Sequence, residues 1–174
     1  EGFDRIVVGT IGAWGVPERL SGSATQVIAR MSEVPLLSMM CDRSDLEVNN
    51  LLLVHDFRNP QIENLSAVRM IADAFGARIH LLQIVAEGVD HAAIHGAMDA
   101  FATMNQLTHY QMHLITDKDV EQGVTHFNQM HNMDIVCIGT HGNKGIERII
   151  HSSATEKLVN HLFKPILTFH LKNA

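Results

Sequence analysis

The sequence predicts an α/β protein built on a parallel β-sheet with helices on both faces. Short apolar segments alternate with amphipathic helical segments between Leu51 and Leu171. Such alternation favours right-handed strand–helix–strand units, whose strands run parallel. Two predicted strands also lead into loops that contain glycines, at Gly9 and Gly139. Glycines at such turns allow positive φ and let backbone N–H groups approach a phosphate.

The composition is that of a globular protein with a slight acidic excess. A hydrophobic content of 46% with 18% charged residues argues against disorder. The formal net charge of −6 argues against nucleic acid or an anionic membrane as a partner. No apolar run approaches the ~20 residues of a membrane helix. Cys41 and Cys137 lack CxxC spacing, so free thiols and a cytoplasmic location are expected.

The sequence of residues 1–40 predicts a strand, a helix and a second strand. Residues 5–10 have the pattern of a buried strand, and a helix is expected at about 17–31, with Pro17 in its first turn. Pro35 opens the next short strand. The polar, aperiodic residues 41–50 predict a linker. Because the chain begins at Glu1, directly before a strand, it is expected to be part of something longer.

From residue 51 onwards, strands and helices alternate regularly. Asn59-Pro60 is interpreted as a helix start, with Pro in the first turn, and Gly76 as its stop. The second helix is expected to bury Ala93, Ala97, Phe101 and Met104 on one side. The predicted strands are 51–54, 78–85, 110–115, 133–138 and 165–171, and the predicted helices are 60–75, 89–107, 120–130 and one that ends near 161.

The N-terminal segment, 1–40, repeats a later part of the chain. When the sequence is shifted along itself so that Asp4 falls on Asp134, the glycines and the serine of the two loops align as well. We call this shift the repeat offset. Chance rarely preserves both the glycine spacing and the closing Pro-apolar strand, so this is an internal repeat. The further aligned pairs are Gly9 with Gly139, Gly12 with Gly142, Gly15 with Gly145, Ser23 with Ser153 and Pro35 with Pro165.

The candidate site lies where two strands of the larger unit end. Asp56 follows the first of these strands, and Gly139 ends the fourth. In open parallel sheets, ligands bind beyond the carboxyl ends of strands, at the point where the strand order reverses. If the two strands are neighbours, Asp56 and the glycine loop face one crevice.

These residues resemble the universal stress protein family. Its motif is two glycines separated by two residues, then nine residues, then Gly-Ser or Gly-Thr. Residues 51–174 resemble one complete domain, 41–50 a linker, and 1–40 the C-terminal fragment of a first domain, as in a tandem protein of this family. The first copy matches with Gly9, Gly12, Gly22 and Ser23, and the second has Gly139 and Gly142 but Ser152-Ser153.

The resemblance implies a five-stranded parallel sheet in the order 3-2-1-4-5 and an adenine nucleotide, ATP or AMP, as ligand. Mg²⁺ can accompany the nucleotide, but no metal is required. Ser152 replaces a glycine of the motif at a cost of roughly 1–2 kcal/mol, which predicts weak binding. Carried over by position, the site comprises His55, Asp56, Ile84, Gly139, Gly142, Ser152, Ser153 and Ala154, with Gly9, Gly12, Gly22 and Ser23 as the matching residues of the first copy.

The alternative function is a structural module that binds no nucleotide and acts by pairing with a second copy. The apolar fifth strand, 166–171, is expected at a sheet edge, which invites another strand. The resemblance implies that fifth strands pair between domains. Residues 36–40 are therefore expected to meet 166–171, either within one chain as a pseudo-dimer or across a homodimer.

Catalysis and metal binding find little support in the sequence. No Ser-His-Asp or Cys-His set is evident, so we expect at most slow ATP hydrolysis. A nucleotidyltransferase or an electron-transfer flavoprotein is a distant third interpretation, because no catalytic pair supports it. His91 and His95, like His109 and His113, are four residues apart. Neither pair has a third ligand nearby in sequence, so no metal site is predicted.

Overall fold

The computed structural model describes residues 3–10, 32, 34–40, 46–57, 59–140 and 164–171. The helices expected at 17–31 and after Gly139 lie outside the described residues, as does Cys41. The described elements are β1 (Ile6–Thr10), β2 (Leu36–Met40), β3 (Asn50–Val54), α1 (Ser66–Phe75), β4 (Arg78–Val85), α2 (His91–Met104), β5 (Tyr110–Thr116), α3 (Val120–His131), β6 (Ile135–Thr140) and β7 (Ile166–His170).

The described strands form one seven-stranded sheet in the order β1-β2-β7-β6-β3-β4-β5. Neighbouring strands run parallel at every pairing except that of β2 with β7, which is antiparallel. The predicted α/β class with a mostly parallel sheet is therefore confirmed. Counted from β3, the strands of residues 50–170 stand in the order 3-2-1-4-5.

The sheet separates two apolar cores, because alternate side chains of a strand point to opposite faces. Helices α1 and α2 cover one face, and α3 covers the other. The main core includes Leu51, Leu53, Val68, Met98 and Phe101, and the second core includes Leu52, Val124, Phe127, Met133 and Val136.

Helix α1 begins later than the sequence predicts, at Ser66 rather than at Pro60. The backbone groups of the residues before Ser66 form hydrogen bonds with a side chain and not with one another in a helical turn. The amide of Asn105 accepts a hydrogen bond from Glu63 N (2.8 Å) and donates one to the carbonyl of Gln61 (2.9 Å). Because these backbone groups are satisfied by Asn105, the residue that caps the end of α2, the segment has no need of helical hydrogen bonds.

The buried side of α2 also differs from the prediction. Phe101 is buried as expected, but Ala93 is exposed and Met104 is 42% exposed. Ile94 and Met98 take the inward positions instead. These side chains remove more apolar surface from water than alanines do, so they determine which side of the helix faces the sheet.

Strand β1 exists as predicted, but it is not a buried strand. Val7 is 60% exposed. Among the described strands, β1 has a neighbour only in β2 and ends the sheet. Its apolar sequence indicates a strand, but burial depends on a neighbour that residues 5–10 do not themselves specify.

Two pairs of strands share one register when they are compared at the repeat offset. Strands β1 and β2 pair from Ile6–Leu36 onwards, and β6 and β7 pair from Val136–Ile166 onwards. The hydrogen bond that leads into each pair is repeated as well. Ile6 N donates to Pro35 O at 2.9 Å, and Val136 N donates to Pro165 O at 3.0 Å.

The antiparallel pairing of β2 with β7 is symmetrical about Leu37 and Leu167, which lie opposite each other. Ser38 Oγ donates to the carbonyl of Ile166, and Thr168 Oγ1 donates to that of Leu36, each at 3.4 Å. The expected meeting of residues 36–40 with 166–171 thus occurs within the chain. Strand β7 consequently lies inside the sheet. The sequence had predicted it at a sheet edge, so that prediction was wrong.

Candidate functional site

Strand β3 is the point at which the strand order reverses. It pairs in parallel with β4 on one side and with β6 on the other, with Val54 opposite both Leu82 and Ile138. The carboxyl ends of these three strands therefore meet at one edge of the sheet. Asp56, Ile84 and Gly139 lie at that edge. This is the crevice in which open α/β sheets bind ligands.

Asp56 is exposed at this edge and is oriented by Gln83. The Gln83 side chain is buried, donates from Nε2 to Asp56 Oδ1 (3.3 Å) and accepts a hydrogen bond from Phe57 N (3.3 Å). Gln83 was not predicted from the sequence. Its one signal was an amide within the otherwise apolar end of β4, directly before Ile84.

His55 points away from the crevice, into the main core. Its ring stacks on Phe101 with a centroid distance of 5.0 Å and lies 4.9 Å from Phe57. Its Nε2 lies 3.2 Å from Oε1 of Glu63, and the two side chains are only 7% and 1% exposed. Of the adjacent pair His55 and Asp56, the structure therefore presents only Asp56 at the exposed rim of the sheet.

Ile84 is partly buried and packs beside the second core. Helix α3 approaches it closely at Gly123, where an added Cβ would lie 2.5 Å from Ile84 Cδ1. The absence of a side chain at Gly123 is what allows this approach. Ile84 thus supplies an apolar surface at the edge of the sheet, partly covered by α3.

Gly139 has a packing role that was not predicted from the sequence. An added Cβ would lie 2.6 Å from both Cγ and Cδ1 of Leu171, which is itself buried. Among the described residues, the glycines with positive φ are Gly76 and Gly88. The expectation of positive φ at the loop glycines is therefore wrong for Gly139, where β6 needs glycine to admit a neighbouring side chain.

The other predicted positions of the glycine loops fall into two groups. Gly9 lies in β1, away from β3, β4 and β6. The remaining site residues from the sequence lie outside the described residues, namely Gly12, Gly22, Ser23, Gly142, Ser152, Ser153 and Ala154.

The histidines of β4 and β5 interact with one another. His80 Nδ1 and His113 Nε2 are 2.9 Å apart, and their rings stack at 5.1 Å. His113 also packs on the edge of Phe127, and its ring centroid lies 5.4 Å from that of His131. Within the described part of the chain, no group of three or more His, Cys, Asp or Glu side chains has a metal-binding arrangement.

These contacts predict a stability that falls in mild acid. Burial, followed by the nearby His80 and His131, lowers the pKa of His113 from 6.5 to about 4. Folding disfavours protonation of this ring, so the associated stability is complete above about pH 6.5 and is lost as the pH falls towards 4. Because the ring is only partly buried, we expect a loss of about 1–2 kcal/mol.

Urea unfolding between pH 7 and pH 4 tests this expectation. His113→Leu should flatten the pH dependence, while His95→Gln, at an exposed position of α2, should leave it unchanged. An equally steep pH dependence in the parent and in His113→Leu would contradict the assignment to His113.

Comparison with known proteins identifies the family. The model of the universal stress protein family matches residues 49–170. The chain belongs to the universal stress protein family. No curated protein matches it.

Solved structures share this fold at low sequence identity. A universal stress protein from Archaeoglobus fulgidus superposes with a TM-score of 0.70 at 15% identity, over 97% of this chain and 61% of that one. The chain therefore spans less than two thirds of that relative's length.

Two shorter universal stress proteins were solved with adenine nucleotides. One, in complex with cAMP, has a TM-score of 0.52 and 15% identity, over 72% of this chain and 99% of its own. Another, from Archaeoglobus fulgidus in complex with dAMP, has a TM-score of 0.50 and 13% identity, with the same two coverages. At these identities, the similarity establishes the fold alone.

No described helix of this universal stress protein is both long enough and apolar enough to span a membrane.

Proposed function

We propose that this universal stress protein binds an adenine nucleotide, ATP or AMP, weakly at the carboxyl edge of β3, β4 and β6. The observation that carries the proposal is the parallel pairing of β3 with both β4 and β6. It brings Asp56 and Ile84, one exposed acid and one apolar surface, to the same edge as Gly139. Two family members with the same fold were solved with cAMP and dAMP.

Each residue has a chemical role in this proposal. The Asp56 carboxylate, oriented by Gln83, accepts hydrogen bonds from the nucleoside, and Ile84 packs against the adenine. The chain that follows Gly139 carries Gly142, Ser152, Ser153 and Ala154 to the phosphates, as the family resemblance implies. His55 supports the site indirectly, because its buried ring anchors the residue directly before Asp56.

Isothermal titration calorimetry with ATP and AMP, in the presence of Mg²⁺, tests the proposal. Loss of a hydrogen bond to a charged group costs about 1.5–3 kcal/mol, so Asp56→Ala should weaken binding by about 10- to 100-fold. Ser152→Gly restores the glycine of the motif and should tighten binding by about tenfold. Asp73→Ala, at an exposed acid of α1, serves as the matched control.

The second candidate function is a structural module that pairs domains and binds no nucleotide. Two observations favour it: β2 and β7 pair symmetrically, and Gly139 has a packing role against Leu171 that needs no ligand. Absence of heat with either nucleotide, for the parent and for Ser152→Gly, would establish this alternative and reject nucleotide binding.

The common register of β1–β2 and β6–β7 supports a further part of the proposal. Residues 1–40 are the C-terminal part of a first domain, 41–50 a linker, and 51–174 the second domain. On this basis the β2–β7 pairing is an intrachain pseudo-dimer through equivalent strands. A homodimer through the same strands is then not available, because β7 has neighbours on both sides.

A further inference from the structure

Three histidine rings form a chain of contacts between strands β4 and β5 and the end of α3. His80 lies in β4 and His113 in β5, and His80 Nδ1 lies 2.9 Å from His113 Nε2. His131, at the end of α3, lies beside His113, with ring centroids 5.4 Å apart. Among the described residues, no carboxylate bonds to His80 or to His113, so this cluster is not a set of ion pairs.

The hydrogen bonds of the His80–His113 pair fix where its protons lie. Asn50 Oδ1 lies 3.0 Å from His80 Nε2 and can only accept a hydrogen bond, so this nitrogen carries a proton. The other nitrogen of the neutral ring, Nδ1, is then an acceptor and receives the N–H of His113 Nε2. Each ring therefore has one proton in the closed arrangement. If both rings were protonated, two N–H groups would face each other at 2.9 Å with no acceptor between them.

The described charges that act on the pair are all positive. Burial is the main cause that lowers the pKa of His80, and the positive groups of Arg78, His131 and His109 lower it further. Burial also lowers the pKa of His113, with contributions from the other two rings of the cluster. From β3, the contact is a neutral amide. Because nothing described here compensates an added charge, the closed arrangement resists protonation.

The pair supports the last turns of α3 on the sheet. His113 packs on the edge of Phe127 with a centroid distance of 4.7 Å, and Phe127 is fully buried in the second core. Phe127 and His131 are four residues apart, so they share one side of the helix, and their ring centroids are 4.4 Å apart. Separation of His80 from His113 therefore moves the ring on which this part of α3 rests.

The middle of α3 has a histidine contact of the opposite kind. His126 Nδ1 lies 2.7 Å from Oδ2 of Asp117, the residue directly after β5. The hydrogen bond with His126 is the main cause that lowers the pKa of Asp117. A proton on His126 makes this contact an ion pair. Acid therefore supports the contact in the middle of α3, while it opposes the bond between the two buried rings.

We propose that the His80–His113 pair is an acid-sensitive latch, which holds residues 127–131 of α3 on the sheet at neutral pH and releases them when the pair takes up protons. The release is local, because the contact in the middle of α3 persists in acid. It uncovers the aromatic ring of Phe127, which is otherwise fully buried. His80 lies near the amino end of β4, away from the carboxyl edge that carries the candidate site, so the latch does not depend on nucleotide binding.

Amide hydrogen exchange of the full chain, followed by NMR at pH 7 and pH 5 in urea up to about 1 M, tests the proposal. With the intrinsic effect of pH removed, exchange at Met130 and His131 should be about tenfold faster at pH 5. Because a local opening exposes little surface, these rates should not depend on urea, whereas exchange at Val68 in α1 should. Unchanged exchange at Met130, or acceleration with the urea dependence of Val68, would overturn the proposal.

Matched substitutions assign the acceleration to the pair. His113→Leu removes one titrating ring, keeps an apolar side chain beside Phe127, and should abolish the acid acceleration at Met130. His126→Gln changes a histidine of the same helix that lies outside the pair, and it should leave that acceleration intact. Equal effects of the two substitutions would contradict a latch at His113.

A measurement on the parent chain keeps the latch testable if His113→Leu fails to fold. Nitrogen NMR of the imidazole rings reports the tautomer and the charge of each histidine. His80 and His113 should titrate as a coupled pair, and exchange at Met130 should accelerate over the same range of pH. Independent titration of the two rings, or acceleration at a pH where neither ring takes up a proton, would overturn the proposal.

Discussion

Glu63→Ala should destabilise the protein by about 3 kcal/mol, because it removes one partner of a buried pair. The Glu63 carboxylate lies 3.2 Å from His55 Nε2, and both side chains are almost fully buried. After the substitution, the imidazole stays enclosed by Phe57 and Phe101 without this carboxylate. Urea unfolding monitored by circular dichroism at pH 7 measures the change in the free energy of unfolding.

Two further variants test whether the lost stability comes from the contact between His55 and Glu63. Replacing both partners by leucine, as His55→Leu with Glu63→Leu, should recover most of the lost stability, since apolar side chains of similar volume need no polar partner. Glu87→Ala, at an exposed position, should change the stability by less than about 0.5 kcal/mol. A cost below about 1 kcal/mol for Glu63→Ala would show that the pair contributes little.

Gly139→Ala should destabilise the protein by about 1–3 kcal/mol through overpacking. The added Cβ would lie 2.6 Å from the Leu171 side chain, a separation that requires that side chain or the backbone of β6 to shift. Gly96→Ala is the matched control, because nothing lies within 4 Å of an added Cβ there. In the helical environment of α2, that change should raise the stability by about 0.5–1 kcal/mol.

A double-mutant cycle identifies the source of the cost. Leu171→Ala removes the clashing side chain, so Gly139→Ala in that background should cost less than about 0.5 kcal/mol. A full penalty in both backgrounds would show that the backbone of β6, and not Leu171, requires glycine. If the chain binds nucleotide as proposed, and Gly139→Ala with Leu171→Ala retains that affinity, then the glycine serves packing alone.

The sequence predicted the fold well because strand and helix periodicities are local properties. Strand β4 has the predicted bounds, Arg78–Val85, and the bounds of β3 and α3 differ from the prediction by one residue. The start of α1 was wrong because Asn105, which is distant in sequence, bonds to the residues before it. A capping pattern such as Asn59-Pro60 contains no information about that distant partner.

The candidate site could be predicted only in part. Asp56 and Gly139 were placed near one edge because parallel strands share the direction of their carboxyl ends. The opposite orientations of His55 and Asp56 depend on which face of β3 meets α2, and the faces of β3 were not predicted from the sequence. Gln83 was missed because a single amide in a strand has no pattern, and its contact with Asp56 links two different strands.

The sequence alone determined the alternation of strands and helices and the family resemblance, and it predicted the internal repeat, because each is encoded in the order of the residues along the chain. Only the tertiary structure decided that β2 and β7 pair within the chain, that Gly139 makes room for Leu171, and that Val7 remains exposed on β1. These features depend on contacts between residues far apart in sequence. Their energies come from burial and close packing, which exist only once the elements have assembled.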